Sequence, residues 1–589
     1  MCRNVHSRNR WAGLQSLTLL SCLIFISISS SAQEIGHQGG DVFVPAPPPP
    51  PVTMPTVDPN SHHADDERTL KFKSETVLIQ VPAVVTDKSG NHVHSLSKDD
   101  FTILENGKPQ RITTFEEIIT SNARPATAQS APGTFSNLVL DEQQPRAVTL
   151  IALDTINTPF LDQAYGRKEL IKYLADHLES GQVLGLVVVG SKGVKVLSGL
   201  NGDPASLIAA LKKASGEVSP MQAFSAEGQV VGAGDHPSQL TGGSTPGEDP
   251  TEKLRQFIMN ADALEGAYQQ SRAIEDTMKA FLAIAWSLSG IPGRKSLIWA
   301  TGGFPFPLDS PSSVPGGSES LLYERAMEAL KNAQVSVYPV DVRGLVSSGG
   351  DITYNGDGSA NNVMGRSGLQ SSTIDTLKTF AEMTGGRAFY NSNDLASGFK
   401  RAADDSSTYY VLGYYMNTRN SKPGWRKLQV AVQRKDVEVR ARTGYFVTNA
   451  TVDPDLTHKA DIGFALSSPF DSTGIAVTVK WQGTSPDGTK KKVAFALHLP
   501  ASGLIDEADK NRFDVDFIAQ ASLNGATVGS AGQTTKGTVP AAGLAKIKAD
   551  GIFYQNALEL PPGNYAVRFV VRNNLSGQIG SVTAPLTVN

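Results

Sequence analysis

Apolar side chains fall on alternate positions along residues 70–120. Val77, Ile79, Val81 and Val85 share one face of an extended run, and Asp87-Lys88-Ser89-Gly90 supplies a turn. Phe101 and Ile103 begin another strand. Asn106-Gly107 is a hairpin signal ahead of Ile112 and Phe115. The stretch predicts a small immunoglobulin-like β domain, followed by a linker of small and polar residues over 121–145.

From 146 to 447 the spacing changes. Buried strands alternate with amphipathic helices, which predicts a doubly wound α/β module: a parallel sheet with helices on both faces. Strands are expected at Val148–Asp154, Val183–Val189, Ser296–Ala300 and Val335–Asp341, with shorter ones at Val194–Leu197 and Ala388–Tyr390. Leu254, Phe257, Ile258, Ala261 and Leu264, then Ile274, Met278, Phe281, Ala285 and Leu288, keep helical spacing through one long helix. Gly290-Ile291-Pro292-Gly293 stops it. The Gly-, Ser- and Pro-rich stretch 216–250 interrupts the pattern and predicts a mobile insertion. Tyr409–Tyr415, Leu428–Gln433 and Val437–Arg442 predict antiparallel strands that close the module.

Residues 455–589 return to alternation. Ile475, Val477, Val479 and Trp481 precede the turn Ser485-Pro486-Asp487-Gly488, and Tyr565, Val567, Phe569 and Val571 share a face near the end. This predicts a C-terminal β-sandwich whose middle, around Gly525–Gly537, is loop.

Composition adds the setting. Residues 1–32 open with Arg3, Arg8 and Arg10, continue with an apolar run densest from Leu17 to Ile28, and end in Ser30-Ser31-Ala32. That is the layout of a signal peptide. Residues 33–69 are Pro-rich, with an unbroken Pro47–Pro51 run, and predict an extended linker. The expected product is exported to the periplasm, cell surface or exterior of a bacterium, with no transmembrane span after cleavage. Its only cysteines, Cys2 and Cys22, leave with the signal, which excludes thiolate chemistry in the mature chain. Loss of the three arginines takes the formal charge from −4 to −7, and no basic patch suggests nucleic acid.

Candidate chemistry gathers at Leu153-Asp154-Thr155-Ile156-Asn157-Thr158, directly after a buried strand and so at the carboxyl edge of the sheet, where open α/β sheets place ligands. Two readings stay open. Asp154, Asn157, Thr158 and Thr301 are candidates to hold Mg²⁺ or Ca²⁺, since hard cations take oxygen ligands. Alternatively, Asp154 is a structural acid accepting backbone hydrogen bonds, and Thr158 an N-cap or turn residue before Pro159. No Walker-type loop, His-Glu-x-x-His or Gly-x-Ser-x-Gly occurs, so no catalytic residue is assigned.

The chain resembles the von Willebrand factor A-related proteins described from acidobacteria. The resemblance covers about Val77 to Phe446. It rests on Val81-Pro82-Ala83-Val84-Val85, Asp100-Phe101 with Glu105-Asn106-Gly107, Leu153 to Thr158, Pro292-Gly293-Arg294-Lys295-Ser296, Thr384-Gly385-Gly386-Arg387, Tyr409 to Tyr415 and Thr443-Gly444-Tyr445-Phe446. It implies a von Willebrand factor A-like sheet flanked by two β-sandwich domains, with an adhesion-like role toward an extracytoplasmic protein partner and no assigned activity. The wider family holds its ion with Asp-x-Ser-x-Ser, a distant Thr and a distant Asp. Here Ile156 stands at the first hydroxyl position and Gly302 where the family has Asp. Thr245 and Thr251 are the candidates for the distant Thr. Asp309 lies a few residues on from Gly302, and Asp341 ends the next strand. A rival expectation is carbohydrate binding or an enzyme-associated role through the C-terminal domain, with Trp481 and Tyr565 stacking on a sugar.

Overall fold

The computed structural model describes residues 76–120, 133–137, 147–178, 182–219, 250–304, 318–345, 361–417, 422–447, 454–507 and 509–589. The expected signal and Pro-rich linker, and most of the 216–250 insertion, lie outside these residues.

The central module is a five-stranded sheet built from β6 (Val148–Asp154), β7 (Val183–Gly190), β8 (Gly193–Asn201), β9 (Lys295–Thr301) and β10 (Val335–Asp341). Their order is β10-β9-β6-β7-β8, parallel except for β8, which runs antiparallel at the edge. The expected short strand at Ala388–Tyr390 reduces to a single parallel bridge between Phe389 and Val340 beside β10. Alternation sorts β6 between two cores. Leu150 and Ala152 face α3 (Pro250–Leu288), α4 (Ser318–Asn332) and α5 (Asn361–Thr384), through Phe281, Leu330 and Phe380. Ile151 faces α1 (Phe160–Asp176), α2 (Pro204–Lys213) and α6 (Leu395–Asp404), through Leu170, Leu211 and Phe399. The chain leaves β6 toward β7 on one side and later adds β9 and β10 on the other, so the sheet reverses direction between β6 and β9.

The stretch 70–120 does not form a domain by itself. Its strands β1 (Thr76–Asp87), β2 (Phe101–Glu105), β3 (Lys108–Gln110) and β4 (Thr114–Ile119) pair with β11 (Thr408–Asn417), β12 (Gly424–Val432), β13 (Val437–Ala441) and β14 (Gly444–Val447). The sheets are β13-β1-β11-β4 and β14-β12-β2-β3, and they share one core that includes Val81, Ile103, Leu412 and Tyr445. The strands expected to close the α/β module therefore complete the N-terminal β unit, and the α/β module is inserted into it. The physical reason is area: four short strands present a single apolar face that needs a second sheet to cover it.

The expected linker 121–145 also carries structure. Its β5 (Thr134–Ser136) pairs with β15 (Thr478–Asp487) of the C-terminal unit, and Asn137 donates to the carbonyls of Ser472 and Ile475 at 2.7 and 2.8 Å. That unit has two sheets. β5 and β15 join β16 (Lys490–Leu499) and β19 (Ile552–Leu560) in one. β17 (Arg512–Leu523), β18 (Ala526–Thr538), β20 (Gly563–Asn573) and β21 (Ile579–Val588) form the other. Gly525–Gly537, expected as loop, is mostly β18: an exposed edge strand needs few apolar residues, so its pattern is silent. Helices α7 (Pro454–Ser467) and α8 (Ala541–Asp550) break the expected all-β character.

Lys295 opens β9 and is buried, its Nζ donating to the Ile291 carbonyl at 2.6 Å. Burial pushes its ammonium down to about 7. The unfolded chain then binds more protons than the folded one between that value and the free-lysine value of about 10.4, so this group makes stability rise with pH across that window. Lys295→Met should raise stability by on the order of 2–3 kcal/mol at pH 6, with the gain shrinking toward pH 10. Urea titrations across pH measure this; a gain that is absent, or constant with pH, would refute it.

Candidate functional site

All four sequence candidates meet at the reversal point of the sheet. Asp154 ends β6, Asn157 and Thr158 lie in the turn that follows, and Thr301 ends the adjacent β9. The Asp154 carboxylate accepts five hydrogen bonds. Oδ1 takes the backbone N–H of Ile156 at 2.9 Å and of Asn157 at 3.0 Å. Oδ2 takes Asn157 Nδ2 at 2.8 Å, Trp299 Nε1 at 3.0 Å and the Thr301 hydroxyl at 2.8 Å. Asp154 is 2% exposed. Burial pushes its carboxyl above the usual range, against the pull of the Asn157, Thr301 and Trp299 donors.

Most of the remaining polar atoms are also engaged. Thr158 Oγ1 accepts from the backbone N–H of Gly302 at 2.8 Å. Asn157 Nδ2 also donates to Thr277 Oγ1 at 3.0 Å, and Thr277 in turn donates to the Ala273 carbonyl at 2.7 Å. Asn157 Oδ1 is buried without a partner.

These residues do not fit a divalent ion. A cation bound at Asp154 would face N–H groups from Trp299, Asn157 and the backbone, all with their positive ends aimed at the same carboxylate. Ile156 occupies the first hydroxyl position and is fully buried, and Gly302 brings no carboxylate. Asp341 lies across β9 from β6, roughly 10 Å away by strand spacing, and its carboxylate is held by Arg343 Nε and Nη2 at 2.8 and 2.7 Å. Among the described residues no three His, Cys, Asp or Glu side chains group as metal ligands. Thr245 and Asp309 lie outside the described residues, as does the side chain of Thr251. Asp154, Asn157, Thr158 and Thr301, the expected holders of Mg²⁺ or Ca²⁺, here join in one hydrogen-bonded plug. Asp154 itself is buried by packed groups and presents almost no surface.

Two members of the plug carry no sequence motif. Thr277 falls on the apolar stripe of α3 beside Met278, and Trp299 sits inside a buried strand. A lone hydroxyl on a core-facing stripe is the available signal for the first. The indole of Trp299 packs against Phe281 and Phe304, edge to face, at 5.1 and 5.6 Å, and its one polar atom reaches Asp154.

Around the plug, the described start of the 216–250 insertion is sewn to the same edge. Ser219 donates to the Ile156 carbonyl at 2.6 Å, and Gln163 both donates to and accepts from the backbone of Glu217 at 2.8 and 3.1 Å. Outside it the edge carries exposed apolar side chains: Leu161 (77%), Val218 (65%), Leu345 (64%) and Phe160 (43%). Gly216 packs against the Phe160 ring, and Gly344 against Asn393 and Tyr165, so the segments bearing these side chains lie along the same carboxyl edge.

The other candidates are structural. Tyr565 is buried in the C-terminal core, where its hydroxyl donates to the Pro561 carbonyl at 2.8 Å, and Trp481 packs on Phe495 and Phe569. Tyr565 is 4% exposed, whereas Trp481 is half-buried against the core. Asp405 pairs with Arg440 at 2.7 Å and Asp404 with Lys400 at 3.0 Å, so the adjacent acids diverge. Tyr409, Tyr410 and Tyr414 are buried, and only Tyr415 of that run is exposed.

No family model matches the chain, and no curated protein matches it. Solved structures similar to it include the N-terminal domain of TFIIH p34, at 12% identity and a TM-score of 0.16, covering 33% of this chain and 79% of that domain. The VWA domain of SpRpn10 aligns at 13% identity and a TM-score of 0.14, covering 33% of this chain and 87% of that one. These are weak likenesses to VWA-type folds over a third of the chain, and they carry no argument about its chemistry. Among the described residues no helix is long and apolar enough to cross a membrane.

Proposed function

We propose that this chain is an exported, non-catalytic binding protein with a von Willebrand factor A-like module, and that it meets an extracytoplasmic protein partner through the rim of Phe160, Leu161, Val218 and Leu345. The observation that supports this is the grouping of large exposed apolar side chains at the one sheet edge where open α/β folds place ligands. Scattered apolar residues are ordinary on a surface; a rim of them around a sealed polar plug is a protein-contact feature. In this reading the plug fixes the loop geometry of the edge, and no ion bridges to the partner.

Site-specific photo-crosslinking in the producing cells tests the rim. A crosslinker at Leu345 should give a discrete adduct, and one at exposed Phe553 on the C-terminal unit should not. Combining Leu161→Asp with Val218→Asp should cut the Leu345 adduct at least about tenfold, the equivalent of roughly 1.4 kcal/mol, while leaving the melting temperature unchanged. Equal adducts from Leu345 and Phe553, or an adduct indifferent to the double substitution, would remove the rim from the partner surface.

A further inference from the structure

A second cleft lies on the seam between the α/β module and the antiparallel sheets. Its walls include Lys331 from the last turn of α4, Thr384 at the end of α5, Trp425 on β12, Arg442 between β13 and β14, and Tyr445 and Phe446 on β14. The cleft is partly enclosed and partly open to solvent, and its enclosed part has room for about 10 Å³, about one water.

Arg442 is 5% exposed, yet among the described residues its guanidinium makes no hydrogen bond and meets no carboxylate. Lys331 Nζ lies 5.5 Å from the Tyr445 ring centroid, and its only acid is Glu328, at 4.0 Å. Among the described residues no acidic side chain lines the cleft. Arg294, also buried, adds a third positive charge behind Arg442 and spends its Nη2 on Tyr338 and the Gly385 carbonyl.

Among the described residues no helix-end carbonyl takes an N–H of Arg442, and four at the end of α5 have other donors: Ala381 takes Gly386 N–H, Glu382 takes Thr443 N–H, Thr384 takes the Ser336 hydroxyl and Gly385 takes Arg294. At the end of α4, Ala329 and Lys331 take the backbone N–H groups of Ala333 and Gln334. A buried guanidinium without hydrogen bonds is costly, and five N–H donors in a fixed fork suit an oxyanion.

We propose that the seam cleft binds one small oxyanion, of carboxylate or phosphate type, between Arg442 and Lys331. Trp425, Tyr445 and Phe446 line it with apolar surface, which lowers the local dielectric and strengthens the two charge-assisted contacts. Burial lowers the pKa of both cations, that of Arg442 to about 10, and an anion would return the lost solvation.

Thermal unfolding of the full chain in sodium phosphate, sodium acetate and sodium chloride, at matched ionic strength, tests this. The expected result is a saturable rise in melting temperature with phosphate or acetate beyond that with chloride. A response to acetate alone assigns a carboxylate, such as a protein side chain or chain end; a response to phosphate alone assigns a phosphate group. Arg442→Gln should abolish the rise. Lys331→Met should weaken binding at least tenfold by calorimetry, and it carries the test if the arginine variant does not fold. Oxyanions acting no differently from chloride, or a folded variant responding like the parent chain, would overturn the proposal.

Discussion

Asp154→Ala should cost about 3–5 kcal/mol of folding stability. The substitution removes the one acceptor shared by Trp299 Nε1, Asn157 Nδ2, the Thr301 hydroxyl and two backbone N–H groups. Of these, Thr301 retains the Gly303 carbonyl at 2.7 Å and Asn157 Nδ2 retains Thr277, so the indole and the two backbone groups bear most of the loss. Little water can take their place, because the neighbouring cleft, which Asp154 lines, has room for about 20 Å³, little more than one water. Urea unfolding followed by circular dichroism measures the cost. The same experiment separates a plug from an ion site. Millimolar Mg²⁺ or a chelator should leave the unfolding midpoint of the parent chain unchanged, since no open oxygen set awaits a cation. A variant within about 0.5 kcal/mol of the parent, or a Mg²⁺-dependent gain lost in the variant, would show that the carboxylate serves an ion.

The strands and helices of the α/β module were legible because their signals are local. Val148–Asp154 and Val335–Asp341 are mostly apolar runs ending in an acid, and both bounds match the structure. The residues brought to the sheet edge were legible for the same reason: strand ends in a parallel sheet converge by topology alone. Their use was not. Whether Asp154 faces a cation or five donors depends on Trp299 and Thr277, which approach from other elements and carry no motif. Strand partnership was equally hidden. Val81 lies opposite Leu412 in the register of β1 on β11, and nothing in either local pattern names the other. Pairing over so long a separation is decided by which apolar face remains uncovered, a property of the whole chain.

That interleaving places one carboxylate where three parts of the molecule meet. Asp461 on α7 accepts Arg325 of α4 on one oxygen and, on the other, Arg572 of β20, whose Nη2 and Nε lie at 2.9 and 3.2 Å. The acid and Arg572 are nearly sealed from solvent, at 7% and 9% side-chain exposure. Beside this pair, Trp286 of α3 meets Phe464 of α7 edge to face at 5.2 Å, and Thr473 N–H donates to the Trp286 carbonyl at 3.0 Å. Asp461→Ala leaves Arg572 buried with, among the described residues, only Asn574 as a side-chain partner, at 2.7 Å, and removes a charged link between the α/β module and the C-terminal unit. The expected cost is about 3 kcal/mol, and its form matters more than its size. The C-terminal unit has its own core, around Phe495, Phe517 and Phe569, whereas its coupling to the rest passes through α7, β5 and the Thr473 contacts. Differential scanning calorimetry should therefore show the unfolding endotherm of the parent chain splitting, with a C-terminal transition moving to lower temperature in the variant. An unchanged endotherm would mean that the apolar contacts of Phe464 and the β5 pairing hold the units together without the ion pair.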